Sequence, residues 1–228
     1  MMKIPKILHQ THSNINQDVI RSRDSFMALH PDWEYKFWDD NDCEELIKEN
    51  YSDFYLYWKN FKKPIKKWDA VRSIFLHKFG GVYADTDVIF YKNIEKIILA
   101  NYKLVFRSPI RINKNFDVIK NHFMASCPKL NFWRNHLQFI KSFKLERDQL
   151  KPDNRTDLEM NVTSHTGELS LAKCLRKELK SNSLTEDDIL IIDPSHVINH
   201  NFTNSLKPKD FRQSEVYAEH FANNSWNS

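Results

Sequence analysis

Residues 68–90 constrain the fold of this chain more than any other stretch of its sequence. The first half predicts a helix, because its large apolar residues recur at helical spacing and form one stripe. Gly80 and Gly81 follow, and a residue that readily adopts positive φ is favoured where a helix ends. The apolar run 82–84 then predicts a short buried strand. Together these features predict a helix, a turn and a strand of an α/β fold.

Two carboxylates follow this predicted strand. Asp85 and Asp87 come at its carboxyl end, the edge at which open α/β sheets place their ligands. Carboxylates at positions i and i+2 can turn toward one hard cation such as Mg²⁺ or Mn²⁺, and such a cation usually carries phosphate. A second pair, Asp40 and Asp42, lies in a polar run where Asp42 and Glu45 predict a capping box. We therefore predict a metal site at the first pair and a helix start at the second.

The predicted helix also carries Asp69 and Arg72, which are three residues apart and therefore share one flank. This order of residues resembles the sugar-nucleotide-binding core of glycosyltransferase family 32, a family of mannosyltransferases with bacterial capsule and lipopolysaccharide relatives. The large clostridial glucosylating toxins share the arrangement. The residues that carry the resemblance are Asp69, Arg72, Gly80, Gly81, Tyr83, Asp85 and Asp87. The segments IPKILHQTH, HPDWEYKFWDD and HFANNSW are similar to the family as well.

The resemblance implies a GT-A fold, in which helices flank a mixed, mostly parallel sheet. It also implies retaining transfer of a hexose from a UDP- or GDP-sugar to a hydroxyl of a glycan or lipid-linked acceptor, with Mn²⁺ or Mg²⁺ as cofactor. Asp85, Asp87 and His220 would hold the metal, and no carboxylate is identified as a nucleophile. The catalytic residues would be Asp69, Arg72, Asp85 and Asp87. Donor contacts would come from His9, Gln10, Asp69, Arg72, Tyr83, Asp85, Gly167, Ser225 and Trp226.

Two internal segments and the close of the chain also resemble the family. The stretch from Asn121 to Ser126 is loosely similar to an asparagine-led segment that approaches the donor sugar. Residues 163–167 are similar to a Thr-Gly-Pro turn, although Glu168 replaces the proline. The close of the chain, from His220 to Trp226, is similar to the His-x4-Ser-Trp ending of the family.

The remaining apolar patterns extend the α/β interpretation along the chain. Further strands are predicted at residues 4–8, 33–37, 88–91, 103–106, 122–126 and 189–192, and helices at 18–30, 43–49, 52–61, 94–99, 128–143 and 168–180. His9 and Gln10 would then follow the first strand, and residues 144–160 would form a polar loop. No repeat or linker interrupts the pattern, so we expect a single domain over residues 1–228.

Composition excludes several classes of protein. The chain has three glycines, too few for the glycine-rich phosphate loops of Rossmann or P-loop proteins. Its net charge of +4 is spread among interspersed acids and bases, which does not indicate nucleic acid binding. Three widely spaced cysteines, Cys43, Cys127 and Cys174, are typical of a reducing compartment. With neither a signal peptide nor a run of transmembrane length, we expect a cytoplasmic protein.

The segment Lys59–Lys67 has two interpretations. It contains five lysines in nine residues, which is typical of a solvated loop. The other interpretation is peripheral contact with an anionic lipid surface, at the inner face of a membrane, or with an acidic acceptor.

Two other functional classes compete with a glycosyltransferase. The run VYADTDVIF also fits the haloacid-dehalogenase phosphatases, in which the first aspartate attacks phosphate and Asp187 and Asp188 would supply the late acidic pair. In that class the motif normally ends the first strand, whereas here at least two predicted strands precede it. The late acid should also follow its apolar run, whereas Asp188 precedes that run. The second competitor is a non-catalytic module that binds membranes or polyanions through the lysines of residues 59–67.

Overall fold

The computed structural model describes residues 3–98, 101–107, 119–144, 155–192, 197–199 and 216–221. The elements follow one another as β1 (Ile7–Thr11), α1 (Gln17–Leu29), β2 (Glu34–Trp38), α2 (Asp40–Asn50), α3 (Ser52–Lys59), α4 (Pro64–Lys78), β3 (Gly81–Ala84), β4 (Val88–Phe90), α5 (Glu95–Ile98), β5 (Leu104–Arg107), β6 (Lys120–Ser126), α6 (Asn131–Lys141), α7 (Arg155–His165), α8 (Glu168–Lys180), β7 (Ile189–Ile192), β8 (Val197–Asn199) and β9 (Ala218–His220). A short 3-10 helix, Glu186–Asp188, precedes β7.

The main sheet of the described residues has six strands in the order β2-β1-β3-β6-β5-β7. The pairs β1–β2, β1–β3 and β5–β7 are parallel, whereas β6 is antiparallel to both β3 and β5. Five strands therefore run in one direction and β6 runs against them. The predicted α/β class, with a mixed and mostly parallel sheet, is confirmed.

Helix α4 packs on the main sheet and carries Asp69 and Arg72. It packs against β3 and β6, and α6 and α8 extend the helical layer beside it. Between helices and sheet, Phe106 lies 5.8 Å from Phe132 and 5.9 Å from Trp133, measured between ring centroids. Burial of such large aromatic side chains is the main contribution to the stability of a core of this kind.

The turn from α4 into β3 depends on glycine, as predicted. Gly80 and Gly81 have φ angles of +67° and +91°, which residues other than glycine rarely adopt. A Cβ atom on Gly80 would also lie 2.7 Å from the ring of Pro128. The tight turn brings β3 back over the end of its own helix, so that Tyr83 and Asp85 return to the level of Arg72.

A second sheet of the described residues has the order β4-β9-β8. Strand β4 begins directly after Asp87, and β9 pairs with it in antiparallel register so that Val88 faces His220. The register carries a residue from near the end of the sequence to the carboxyl edge of the main sheet.

Three boundary predictions are wrong. The first strand starts at Ile7 and not at residue 4, because its pairing with β2 begins at the register Ile7 to Glu34. His9 and Gln10 therefore lie inside the strand. Residues 155–165 form helix α7, where a polar loop was expected as far as residue 160. The capping box of α2 consists of Asp39 and Asp42, not of Asp42 and Glu45.

No helix among the described residues is both long and apolar enough to cross a bilayer.

Candidate active site

Asp85, Asp87 and His220 meet beyond the carboxyl end of β3. One ligand atom from each of the three lies within 4.8 Å of the others. His220 Nε2 is 3.1 Å from Asp87 Oδ1 and 3.7 Å from Asp85 Oδ2. The structure thus brings together the three residues that were predicted to hold a metal.

The backbone fixes this cluster from two sides. The Asp85 amide donates to the carbonyl of His122 on β6 at 2.9 Å, and the Phe221 amide donates to the Asp87 carbonyl at 3.0 Å. The Val88 amide donates to the Asp85 carbonyl at 3.1 Å, which closes the turn between the two aspartates. Because each bond is made by main-chain atoms, the cluster follows from the strand pairing.

The donor set fits a hard divalent cation. Two carboxylates suit Mg²⁺ and Mn²⁺, and Mn²⁺ also accepts an imidazole. The side chains of Asp85, Asp87 and His220 are 23%, 16% and 11% exposed, so the cluster is sheltered but remains open to solvent. A cation there would also offset the repulsion between two neighbouring carboxylates.

Arg72 links this cluster to α4. Its Nη2 lies 3.2 Å from Asp85 Oδ1, and its Nη1 lies 3.3 Å from Asp69 Oδ1. Nη1 also donates to the Asn121 carbonyl at 3.2 Å. The guanidinium stands over the ring of Tyr83, 4.9 Å from its centroid, a cation–π geometry. One planar guanidinium therefore bridges the two carboxylates, which the single nitrogen of a lysine could not do.

Asp69 is buried at the centre of a small polar network. Its Oδ1 accepts from the side-chain amide of Asn121 at 2.9 Å, and its Oδ2 accepts from the hydroxyl of Thr166 at 3.2 Å. Burial raises the pKa of Asp69 to about 6, although Arg72 and Thr166 act to lower it. Gly167 completes the network by its small size, since a Cβ there would lie 3.3 Å from Asp69 Oδ2.

Tyr83 fixes the orientation of the Asp85 side chain. Its hydroxyl donates to Asp85 Oδ1 at 2.8 Å, and its side chain is 1% exposed. Burial, with the negative charge of Asp85, raises the pKa of Tyr83 well above its ordinary value, against the lowering by Arg72. The phenol therefore stays protonated and remains a hydrogen-bond donor to the carboxylate.

His122 lies behind His220. The two rings are parallel, with an interplanar angle of 8° and centroids 4.2 Å apart. Burial, and then the charges of His220 and Arg107, hold the pKa of His122 well below its ordinary value. His122, Asn121 and Thr166 were not predicted as site residues, although all three lie in segments that partly resemble the family: Asn121 and His122 in residues 121–126, and Thr166 in residues 163–167.

Part of the chain matches a known protein family. Residues 16–104 match the family described as the glycosyltransferase sugar-binding region containing a DXD motif. The match contains Asp69, Arg72, Asp85 and Asp87, while His220 lies beyond it.

Two relatives come from Saccharomyces cerevisiae (strain ATCC 204508 / S288c). The mannosyl phosphorylinositol ceramide synthase SUR1 is 32% identical over 142 residues, which are 61% of this chain and 35% of the relative. The mannosyl phosphorylinositol ceramide synthase CSH1 is 26% identical over 201 residues, which are 87% of this chain and 50% of the relative. The chain thus spans half or less of the length of these two relatives.

Among solved structures, the PaToxG glycosyltransferase is similar in fold. It superposes with a TM-score of 0.56 and 16% sequence identity, covering 79% of this chain and 72% of that chain. Similarity at this level of identity shows a shared fold. The predicted GT-A fold is therefore confirmed.

His9 does not reach the candidate active site. Its side chain is fully buried, its Nε2 donates to the Gly80 carbonyl at 2.9 Å, and its Nδ1 accepts from Trp38 at 3.2 Å. Burial lowers the pKa of His9 to about 4. Because both ring nitrogens are engaged within the protein, His9 is a core histidine and has no ring nitrogen left for the predicted donor contact.

Gln10 is buried as well, but it supports the site. Its amide nitrogen donates to the Asp85 carbonyl at 3.1 Å and to the hydroxyl of Ser22 at 2.8 Å. Its amide oxygen accepts from Tyr35 at 3.1 Å. Direct contact of Gln10 with a donor was predicted, whereas the structure gives it a contact with the backbone of the first aspartate. The predicted donor contacts Ser225 and Trp226 lie outside the described residues.

The direction of β7 argues against the phosphatase alternative, because it places Asp188 far from Asp85. Asp188 precedes β7, which runs parallel to β5 and in the same sense as β3. Asp188 therefore lies at the edge of the sheet opposite to Asp85, where its carboxylate pairs with Lys103 at 2.9 Å. A late acid of that phosphatase class would have to reach the same edge as the nucleophile.

The lysines of residues 59–67 are not one continuous basic surface. Lys66 is fully buried, and its Nζ lies 2.9 Å from Nδ1 of His165. Lys59 pairs with Glu44 at 2.6 Å, and Lys67 stands over the ring of Trp58 at 5.1 Å. The part of this segment that can meet a partner is therefore smaller than the sequence predicted.

Proposed function

We propose that this chain transfers a hexose from a nucleotide diphosphate sugar to a hydroxyl group of a glycan or lipid-linked acceptor, with a divalent cation bound by Asp85, Asp87 and His220. The observation that supports this proposal is the meeting of these three side chains within 4.8 Å at the carboxyl edge of a mostly parallel sheet. Sheets of this class bind their ligands at that edge.

The cation would neutralise the charge that develops on the leaving diphosphate, a Lewis-acid contribution of several kcal/mol. The protein supplies its ligands and keeps them in place. Asp85 is held by Arg72 at 3.2 Å and by Tyr83 at 2.8 Å, so its second oxygen can turn toward the cation. Asp87 lies beside His220 at 3.1 Å.

Asp69 and Arg72 would orient the donor. Within the described part of the chain, Arg72 Nε is buried and makes no hydrogen bond, so the guanidinium retains one donor group. An N–H of this kind favours a ligand oxygen, because a buried unsatisfied donor is costly. A fixed guanidinium beside the metal would hold the donor in one orientation relative to the attacking hydroxyl. We propose retention of the anomeric configuration, as the resemblance to family 32 implies.

For the substrates, the names of the relatives favour mannose as the sugar and an inositol phosphoceramide as the acceptor. An acceptor of that kind lies in a membrane. We therefore also propose peripheral contact with a membrane from the cytoplasmic side, through the exposed lysines Lys59 and Lys62.

A donor panel tests the proposal. The purified chain is incubated with GDP-mannose, UDP-glucose, UDP-galactose and UDP-N-acetylglucosamine, each with Mn²⁺, with Mg²⁺ or with excess chelator, and nucleotide release is measured. Release from one donor, dependent on the metal, is expected. Release that persists in chelator would contradict the metal site, and hydrolysis of p-nitrophenyl phosphate without release from any sugar nucleotide would favour the phosphatase.

A further inference from the structure

His122 has two connections to the acidic cluster. Its carbonyl accepts the amide of Asp85 at 2.9 Å, and its ring stacks on His220 with an interplanar angle of 8°. The side chain is 3% exposed. It is not among the three residues whose ligand atoms meet. It therefore stands behind a metal-binding residue without joining the ligands.

His220 lies at the end of a short strand, where its ring needs a neighbouring group to hold its orientation. His220 is the last residue of β9, a strand of three residues that is paired with β4 and β8. A ligand imidazole binds well only when its ring is held near one orientation, which neighbouring groups normally ensure. A parallel ring at 4.2 Å favours one plane of His220 and opposes its rotation about χ2.

We propose that His122 is a positioning residue, which fixes the ring plane of His220 and thereby sets the affinity of the cluster for a divalent cation. The inference rests on the proposed function, because the cation is the one proposed there. It assigns the effect to the flat ring of His122 and not to a hydrogen bond. Among the described residues, His122 Nε2 is buried and makes no hydrogen bond.

This assignment separates two substitutions of similar size. His122→Phe retains a flat ring and removes the nitrogens, so the stack with His220 persists. His122→Leu fills most of the same space but has no ring, so His220 is released to other rotamers. Supporting residues around metal ligands typically change metal affinity about 10–100-fold when they are lost.

The experiment titrates the chain with Mn²⁺ and follows the free ion by electron paramagnetic resonance. His122→Leu is expected to weaken binding at least tenfold, and His122→Phe to stay within about threefold of the unmodified chain. His30→Leu is the matched control. His30 is also a buried histidine on a parallel ring, 4.1 Å from Phe26, but it lies away from the cluster. This variant is expected to lose stability and to keep its Mn²⁺ affinity.

A second measurement needs no metal. The ring protons of His220 are assigned in the metal-free protein by selective histidine labelling, with His220→Gln as the assignment reference. They are expected to shift and sharpen toward free rotation in His122→Leu and to stay near their original positions in His122→Phe. If His122→Leu does not fold, His122→Met takes its place in both measurements, since it has similar volume and no ring.

The outcomes separate the two proposals. If the unmodified chain does not bind Mn²⁺, or binds it equally well after Asp87→Asn, the metal site of the proposed function is wrong. If the unmodified chain binds Mn²⁺ and His122→Leu binds it equally well, the role of His122 is wrong while the metal site stands. Equal losses in His122→Leu and His122→Phe would assign the effect to the ring nitrogens and overturn the inference.

Discussion

Replacing Arg72 with lysine tests whether a planar guanidinium is needed to bridge the two acids. Arg72 contacts Asp85 through Nη2 at 3.2 Å and Asp69 through Nη1 at 3.3 Å. A lysine has one nitrogen at the end of its chain and cannot reproduce this fork. Whichever carboxylate it reaches, the other loses its cationic partner in an environment where both Arg72 and Asp69 are almost completely buried.

The magnitude follows from the loss of one such contact. A hydrogen bond to a charged group contributes about 1.5–3 kcal/mol. If the lost contact is the one to Asp85, kcat/KM for the donor is expected to fall by about tenfold to 150-fold, at about 1.4 kcal/mol per factor of ten. If the contact to Asp69 is lost, the same free energy is taken from folding. For a chain of this length that corresponds to a decrease in Tm of about 3–12 °C.

The assay measures nucleotide release at a temperature well below both melting transitions, and Tm is measured on the same samples. Arg23→Lys is the control, because Arg23 pairs with Asp24 at 2.8 Å while the two side chains are 37% and 61% exposed. Exposed pairs contribute little, so neither quantity should change. A kcat/KM within threefold of the unmodified chain, together with an unchanged Tm, would refute the bridging role of Arg72.

Four further predictions follow from the site. Asp87→Asn should abolish metal-dependent nucleotide release and leave Tm nearly unchanged, because it removes ligand charge but little volume. Asp42→Asn, in the capping box, is the control and should keep its activity. Equal activity of both variants would contradict the metal assignment. Asp69, with a pKa of about 6, should lose its charge as the pH falls through 6, so kcat/KM should decline there. The same protonation relieves the cost of the buried charge, so the contribution of Asp69 to the free energy of unfolding should increase between pH 7 and pH 4, and both effects should vanish in Asp69→Asn. Gly167→Ala should destabilise the protein by about 1–3 kcal/mol through overpacking, because the added Cβ would lie 3.0 Å from Thr163 Cα; denaturant unfolding measures this, and an unchanged midpoint would contradict it. Deletion of residues 222–228 should lower nucleotide release at least a hundredfold with a small change in Tm, as the resemblance of the closing segment implies, and full activity after deletion would remove this segment from the site.

The sequence predicted the parts of the site that are local in the chain. The helix, the two glycines and the strand of residues 68–90 are fixed by spacing and by the positive φ angles of Gly80 and Gly81, which short-range rules capture. The interpretation of Asp40 and Asp42 as a helix start was also confirmed, with the cap moved to Asp39. In each case the decisive interactions join residues a few positions apart.

The strand boundaries show where such rules fail. Apolar residues at positions 4–8 indicate a strand, but the pairing of Ile7 with Glu34 decides where the ladder begins. This shift of a few residues places His9 within the sheet and converts a predicted donor contact into a core residue. Register is set by a partner strand, and a single strand's pattern does not specify it.

The support around the cluster of Asp85, Asp87 and His220 depends on residues that are far apart in the chain. His122 comes from β6 and His220 from β9, and the two strands belong to different sheets. They meet because β6 pairs with β3, β4 follows β3 after the turn at Asp85 and Asp87, and β9 pairs with β4. Each pairing alone is ordinary, and the stack of the two histidines results from all of them together. A motif search finds the two aspartates because their spacing is written in the chain, whereas a residue that acts through His220 becomes visible only when the registers of both sheets are known.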